Sequence, residues 1–132
     1  MTSNMTHQLL LYPMASHIAW VAFLYVLLTI VRAPAVWGVG KSKRETWATV
    51  EPRVSANLSN QFEWPLFFHI ICVLLIVLGN TDPIQVWLAW IFVVGRLIHS
   101  AVQILTNNIR LRGLVFTINF MAVLIMWVAL LV

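Results

Sequence analysis

Two sets of polar residues in this mostly apolar chain share the spacing of a helix face. Arg96, His99, Gln103, Asn107 and Arg110 follow one another at intervals of three, four, four and three. Arg53, Asn57, Asn60 and Glu63 are spaced by four, three and three. Residues three and four apart stand on the same side of a helix, so the chain predicts two polar stripes on two helices. Facing each other, the stripes read as the lining of a wet, polar cavity, a ligand site. Other chemistry has little support: the chain has no CxxC, HExxH, GxSxG or phosphate-cradling glycine loop.

The elements that must hold these stripes are membrane spans. Of 132 residues, 61% are hydrophobic and 9% charged, whereas soluble domains carry about 25% charged residues. A helix needs ~20 apolar residues to cross the ~30 Å hydrocarbon core. Four such helices are expected, over approximately residues 9–31, 54–78, 84–107 and 113–132. The fold class is therefore an all-α, four-helix integral membrane bundle in a single transmembrane domain, with little chain left for a soluble one.

The net charge of +4 could suggest nucleic acid in a soluble protein, but its placement favours a membrane and no nucleic acid. Arg32, Lys41, Lys43, Arg44 and Arg53 follow the first span, and Arg110 and Arg112 follow the third. The N-terminal tail, the Gly79–Pro83 turn and the C-terminus carry no Lys or Arg. Four spans put both basic segments on one face, which the positive-inside rule makes cytoplasmic, with both termini outside. The first span has no basic residue before it and is longer than a signal-peptide core, so it reads as a retained helix. Trp87, Trp90, Trp127 and Tyr12 fall near the outer span ends, as an interfacial aromatic belt would. Cys72 is the single cysteine and reads as a core thiol. Asn4-Met5-Thr6 fits a glycosylation sequon, a motif short enough to arise by chance.

Depth brings two charges together. Glu63 lies ten residues inside the second span from Arg53, roughly 15 Å at ~1.5 Å per residue. Arg96 lies eleven residues inside the third from Asn107, roughly 16 Å by the same rise. Each would cost about 2.5–3.5 kcal/mol at a helix centre, so a Glu63–Arg96 pair between these helices is expected. Such a pair can serve merely to hold helices in register, but a lone bridge does not explain two whole stripes. His69 and His99 fall roughly 24 Å and 12 Å from the same face, too far apart in depth to share one metal. His17 is alone in the first span and reads as a packed or interfacial histidine.

These stripes, taken with their flanks, resemble the MAPEG family, the membrane-associated proteins of eicosanoid and glutathione metabolism, and within it a bacterial-type branch. One segment is Glu51-Pro-Arg53-Val-Ser-Ala-Asn57-Leu-Ser-Asn60-Gln-Phe-Glu63-Trp-Pro65, similar to the family's arginine, N-x-x-E and proline at the start of the second helix. The other is Gly95-Arg96-Leu-Ile-His99-Ser100, with Arg110 fourteen residues after Arg96. The resemblance implies a homotrimer binding glutathione as co-substrate between subunits. Arg53, Asn60, Glu63 and Arg96 would hold the tripeptide, His99 and Gln103 would complete the site, and Arg110 would stabilise the thiolate as the catalytic residue. Arg112 is the alternative if the helix end is frayed. Gln103 stands where animal members commonly have a tyrosine, and Trp64 where some have one.

Three functions follow. The first is a glutathione-dependent transferase or peroxidase acting on a lipophilic electrophile from the membrane. The second is a non-catalytic lipid- or partner-binding protein of the same fold. The third, a small four-helix exporter, needs a membrane glutamate in the first span, which has none.

Overall fold

A run of apolar residues becomes a helix in lipid because every backbone N–H and C=O must find its partner within the segment. The computed structural model describes residues 2–38, 40, 44–80 and 82–132, with side chains placed from Gln8 onward except at Arg44. Its helices are α1 (Thr2–Val36), α2 (Arg44–Asn60), α3 (Trp64–Val77), α4 (Pro83–Leu105) and α5 (Ile109–Leu131), and there is no strand among the described residues. Four stretches are long and apolar enough to cross a bilayer: Gln8–Val36, Glu45–Val77, Pro83–Leu105 and Ile109–Leu131. The architecture is all-α.

The helices depart from the sequence expectation mainly at their polar ends. α1 continues to Val36 and α2 begins at Arg44, so much of the stretch expected as the first loop is helical. Lys41 and Lys43 lie outside the described residues. The second span is not one helix but two. Pro65 sits in the first turn of α3, where it lacks the N–H that would continue the ladder from α2, and the residue before a proline is pushed out of the helical region. The chain therefore turns at Gln61–Glu63 and restarts. A second interruption separates α4 from α5. Thr106 is extended, and Asn108 caps α5 by accepting from the Leu111 amide at 3.0 Å.

Packing is in two layers along the bundle. Leu10, Phe68, Ile71, Leu75, Phe92, Val123 and Met126 form one apolar cluster. Leu24, Leu28, Val54 and Leu58 form a second around α1 and α2. α4 and α5 make the most extensive pair, and Gly95 is what lets them close. A Cβ there would run into the amide oxygen of Asn119. Small residues at such contacts are how membrane helices gain close packing without a hydrophobic driving force between them. Many large apolar residues, among them Ile18, Val94 and Leu114, point outward, as lipid-facing positions do.

Candidate functional site

The break at Gln61–Glu63 creates two helix ends inside a span, and the charged residues use them. The end of α2 presents carbonyls with no partner in the next turn and a partial negative charge. Arg96, buried on α4, fills that position: its Nη2 donates to the Asn60 carbonyl at 2.9 Å and its Nε to Gln61 Oε1 at 3.2 Å. Glu63 is at the start of α3, where a negative charge is favoured, but it is exposed and its side chain makes no capping bond. The expected Glu63–Arg96 ion pair is therefore absent. Among the described residues the one ion pair is Arg32–Glu51, at 2.7 Å. The reason is the break itself. It rotates Glu63 off the face that carries Asn57 and Asn60, so a stripe drawn on an uninterrupted helix does not reach it.

A buried polar network spreads from Gln61. Its oxygen also lies 3.0 Å from His17 Nε2, and its nitrogen donates to Asn57 Oδ1 at 3.3 Å and Ser100 Oγ at 3.3 Å. Trp20 Nε1 donates to the same Ser100 hydroxyl at 3.0 Å. Asn57 Nδ2 donates to Gln103 Oε1 at 2.8 Å, and Asn60 Nδ2 to the same oxygen at 3.3 Å. His17 Nδ1 lies 3.0 Å from His69 Nε2. The donors and acceptors settle the tautomers. Gln61 Oε1 can only accept, so a neutral His17 donates from Nε2 and accepts at Nδ1, and His69 then donates from Nε2. Satisfied networks of this kind stiffen a low-dielectric interior. His17 is thus packed, as expected, but not alone.

Beside the network, two adjoining cavities run along the start of α5. One, of about 360 Å³, is lined by Arg53, Gln103, Asn107 and Arg112 among others. The second, of about 370 Å³, includes Asn60, His99, Gln103, Arg112 and Phe116. They share Gln103, Ile109 and Arg112, which makes one groove. Arg53 is held in place, donating from Nη1 to the Ile104 carbonyl at 3.3 Å and from Nη2 to Asn107 Oδ1 at 2.7 Å. His99 Nδ1 is buried without a partner.

The structure thus gathers Arg53, Asn60, His99 and Gln103 on one groove. Arg96 lies behind it, supporting Asn60, and Glu63 lies outside it. Arg110 is exposed and lines neither cavity. It belongs to α5, not to the α4 stripe, because the chain leaves the helix at Thr106. Arg112, two residues on, lines both cavities. Sequence reasoning missed Gln61 and Ser100. Their signal was present, since each stands four residues after a stripe member, Asn57 and Arg96. No group of three His, Cys, Asp or Glu residues able to hold a metal occurs among the described residues.

A model of the MAPEG family matches residues 10–132. No curated protein and no solved structure matches.

Proposed function

The chain belongs to the MAPEG family, and on that premise we propose that it is a membrane-embedded enzyme using glutathione to conjugate or reduce a lipophilic electrophile. The observation that carries this reading is the continuous groove, which places a pinned arginine, Arg53, and a second, Arg112, along amides from Asn60 and Gln103. Arg53 takes a glutathione carboxylate, the amides take its peptide groups, and His99 forms part of the wall beside them. Arg96 acts from behind by fixing the end of α2.

The thiolate-stabilising charge is assigned to Arg112 in preference to Arg110. A thiol of pKa ≈ 8.5 is mostly protonated at neutral pH, and an adjacent guanidinium lowers it. Each unit of lowering is 1.36 kcal/mol, or about tenfold in thiolate population. The proposal includes a homotrimer with the basic segments cytoplasmic and the termini outside. An exposed carboxylate within a span is costly, and a neighbouring subunit over Glu63 would remove it from lipid.

A second reading has one observation in its favour. The Gln103 oxygen is taken by Asn57 and Asn60, and the position offers no hydroxyl, which suits a binder of lipid or of a partner.

Glutathione titration of the purified protein, followed by turnover with a nitro-activated aryl chloride, tests both. Arg112→Ala should lower turnover about tenfold or more, as loss of a one-unit thiol shift requires, with binding largely intact. Arg110→Ala should change little. The reverse pattern would overturn the assignment of Arg112, binding without turnover leaves the binder, and absence of binding removes the glutathione reading.

A further inference from the structure

The His17–His69 pair opens onto a third cavity, of about 290 Å³, lined by His17, Ile18, Val21, Gln61, Phe62, Leu66 and His69. It shares no lining residue with the groove above. It lies well inside the membrane: His17 is nine residues from the start of its span at Gln8, roughly 14 Å at ~1.5 Å per residue. Ile18, Phe62 and Leu66 are exposed, so the cavity communicates with the outer surface of the span and not with the basic loops.

We propose that this cavity binds a membrane-soluble amphiphile through a hydroxyl donor, of which a phenol with an alkyl tail is the simplest form. The polarity follows from the hydrogen bonds. Gln61 Oε1 also accepts from Arg96, which requires the His17 Nε2 proton, and His17 Nδ1 then accepts from His69 Nε2. A neutral His69 with its proton on Nε2 has a lone pair on Nδ1. His69 is half-buried, and the rest of the wall is aliphatic or aromatic. The site therefore offers an acceptor in an apolar pocket, and a ligand must bring the donor. The His17 ring is held against Phe68 and Phe92, with centroids 6.2 and 5.8 Å away, which keeps the relay in one orientation. The volume is near the lower limit of small-molecule sites, ~300 Å³. It admits a ring and leaves an alkyl tail in the bilayer. The site does not depend on glutathione.

The test uses the full chain in lipid nanodiscs with ¹⁵N-labelled histidine, titrated with 4-heptylphenol and with its methyl ether, which has the same shape but no donor. The phenol should shift the His69 Nδ1 resonance and bind about three- to tenfold more tightly than the ether, the worth of one net hydrogen bond. Leu66→Trp, which fills the cavity from its exposed rim, should abolish the shift with the protein still folded. His69→Phe should bring phenol and ether to equal affinity. Equal binding of the two probes by the native chain, a Leu66→Trp protein that still shows the shift, or no binding of either probe would each overturn the proposal.

Discussion

Gln61 is the residue whose loss should cost this chain most, although no charge sits on it. Gln61→Leu keeps the volume but removes the acceptor of Arg96 Nε and His17 Nε2 and the donor to Asn57 Oδ1 and Ser100 Oγ. The buried Arg96 then retains the Asn60 carbonyl alone. Stranding a buried neutral donor or acceptor costs about 1–3 kcal/mol and a charged one more, and breaking a buried charged pair from one side costs ~3–5 kcal/mol. A loss of about 3–5 kcal/mol is expected. Arg96→Met has the opposite balance. It forfeits charge-assisted bonds worth about 1.5–3 kcal/mol each but also removes a cation whose burial in a span costs about 2.5–3.5 kcal/mol. Its net effect should be within about 2 kcal/mol. The double variant should then be more stable than Gln61→Leu alone. Equilibrium unfolding in mixed micelles, across the four proteins of the cycle, measures this. Additivity within about 0.5 kcal/mol would refute the network, because uncoupled sites behave that way. The same cycle on Glu63→Gln should give a smaller coupling to Arg96, as no ion pair joins them and only a longer-range attraction remains.

Three further outcomes are expected. Gly95→Ala should destabilise by about 1–3 kcal/mol, the range for overpacking, because its methyl meets the buried side chain of Asn119, which must shift to admit it; a neutral effect in the same unfolding assay would show that α4 and α5 are not so close. Glu51→Gln should change stability by no more than about 1 kcal/mol, since the Arg32–Glu51 pair is a partly exposed surface bridge. On the proposed topology, Ser42→Cys on a background lacking Cys72 should react with a membrane-impermeant maleimide only from the cytoplasmic side; labelling from outside would invert that topology.

What the sequence could and could not say divides along one physical line, local periodicity against chain interruption. The spans were legible because lipid demands long apolar helices, and the α4 stripe was legible as far as Gln103 because that helix runs unbroken to Leu105. Arg53, Asn60, His99 and Gln103 do meet on one groove. The errors begin where a helix stops. Pro65 is visible in the sequence, yet a proline inside an apolar run can also kink a helix that otherwise continues, and only the packed chain shows that Gln61–Glu63 leaves the helix. That one break moves Glu63 outward and gives Arg96 a helix C-terminus as its counter-charge. It also frees Gln61 to join His17 with Ser100, contacts between residues 44 and 39 positions apart that periodicity has no means of pairing. The same argument applies at Thr106, where leaving the helix turns Arg110 out of the groove and brings Arg112 in. Both changes of register occur beside the proposed ligand groove, for a reason particular to membranes. Non-helical backbone is tolerated at depth only where protein or a wet cavity satisfies its polar groups. A break in a span therefore needs a polar surrounding, and a polar surrounding is what a site for a charged ligand must provide. The residues least readable from spacing are for that reason the ones nearest the proposed site.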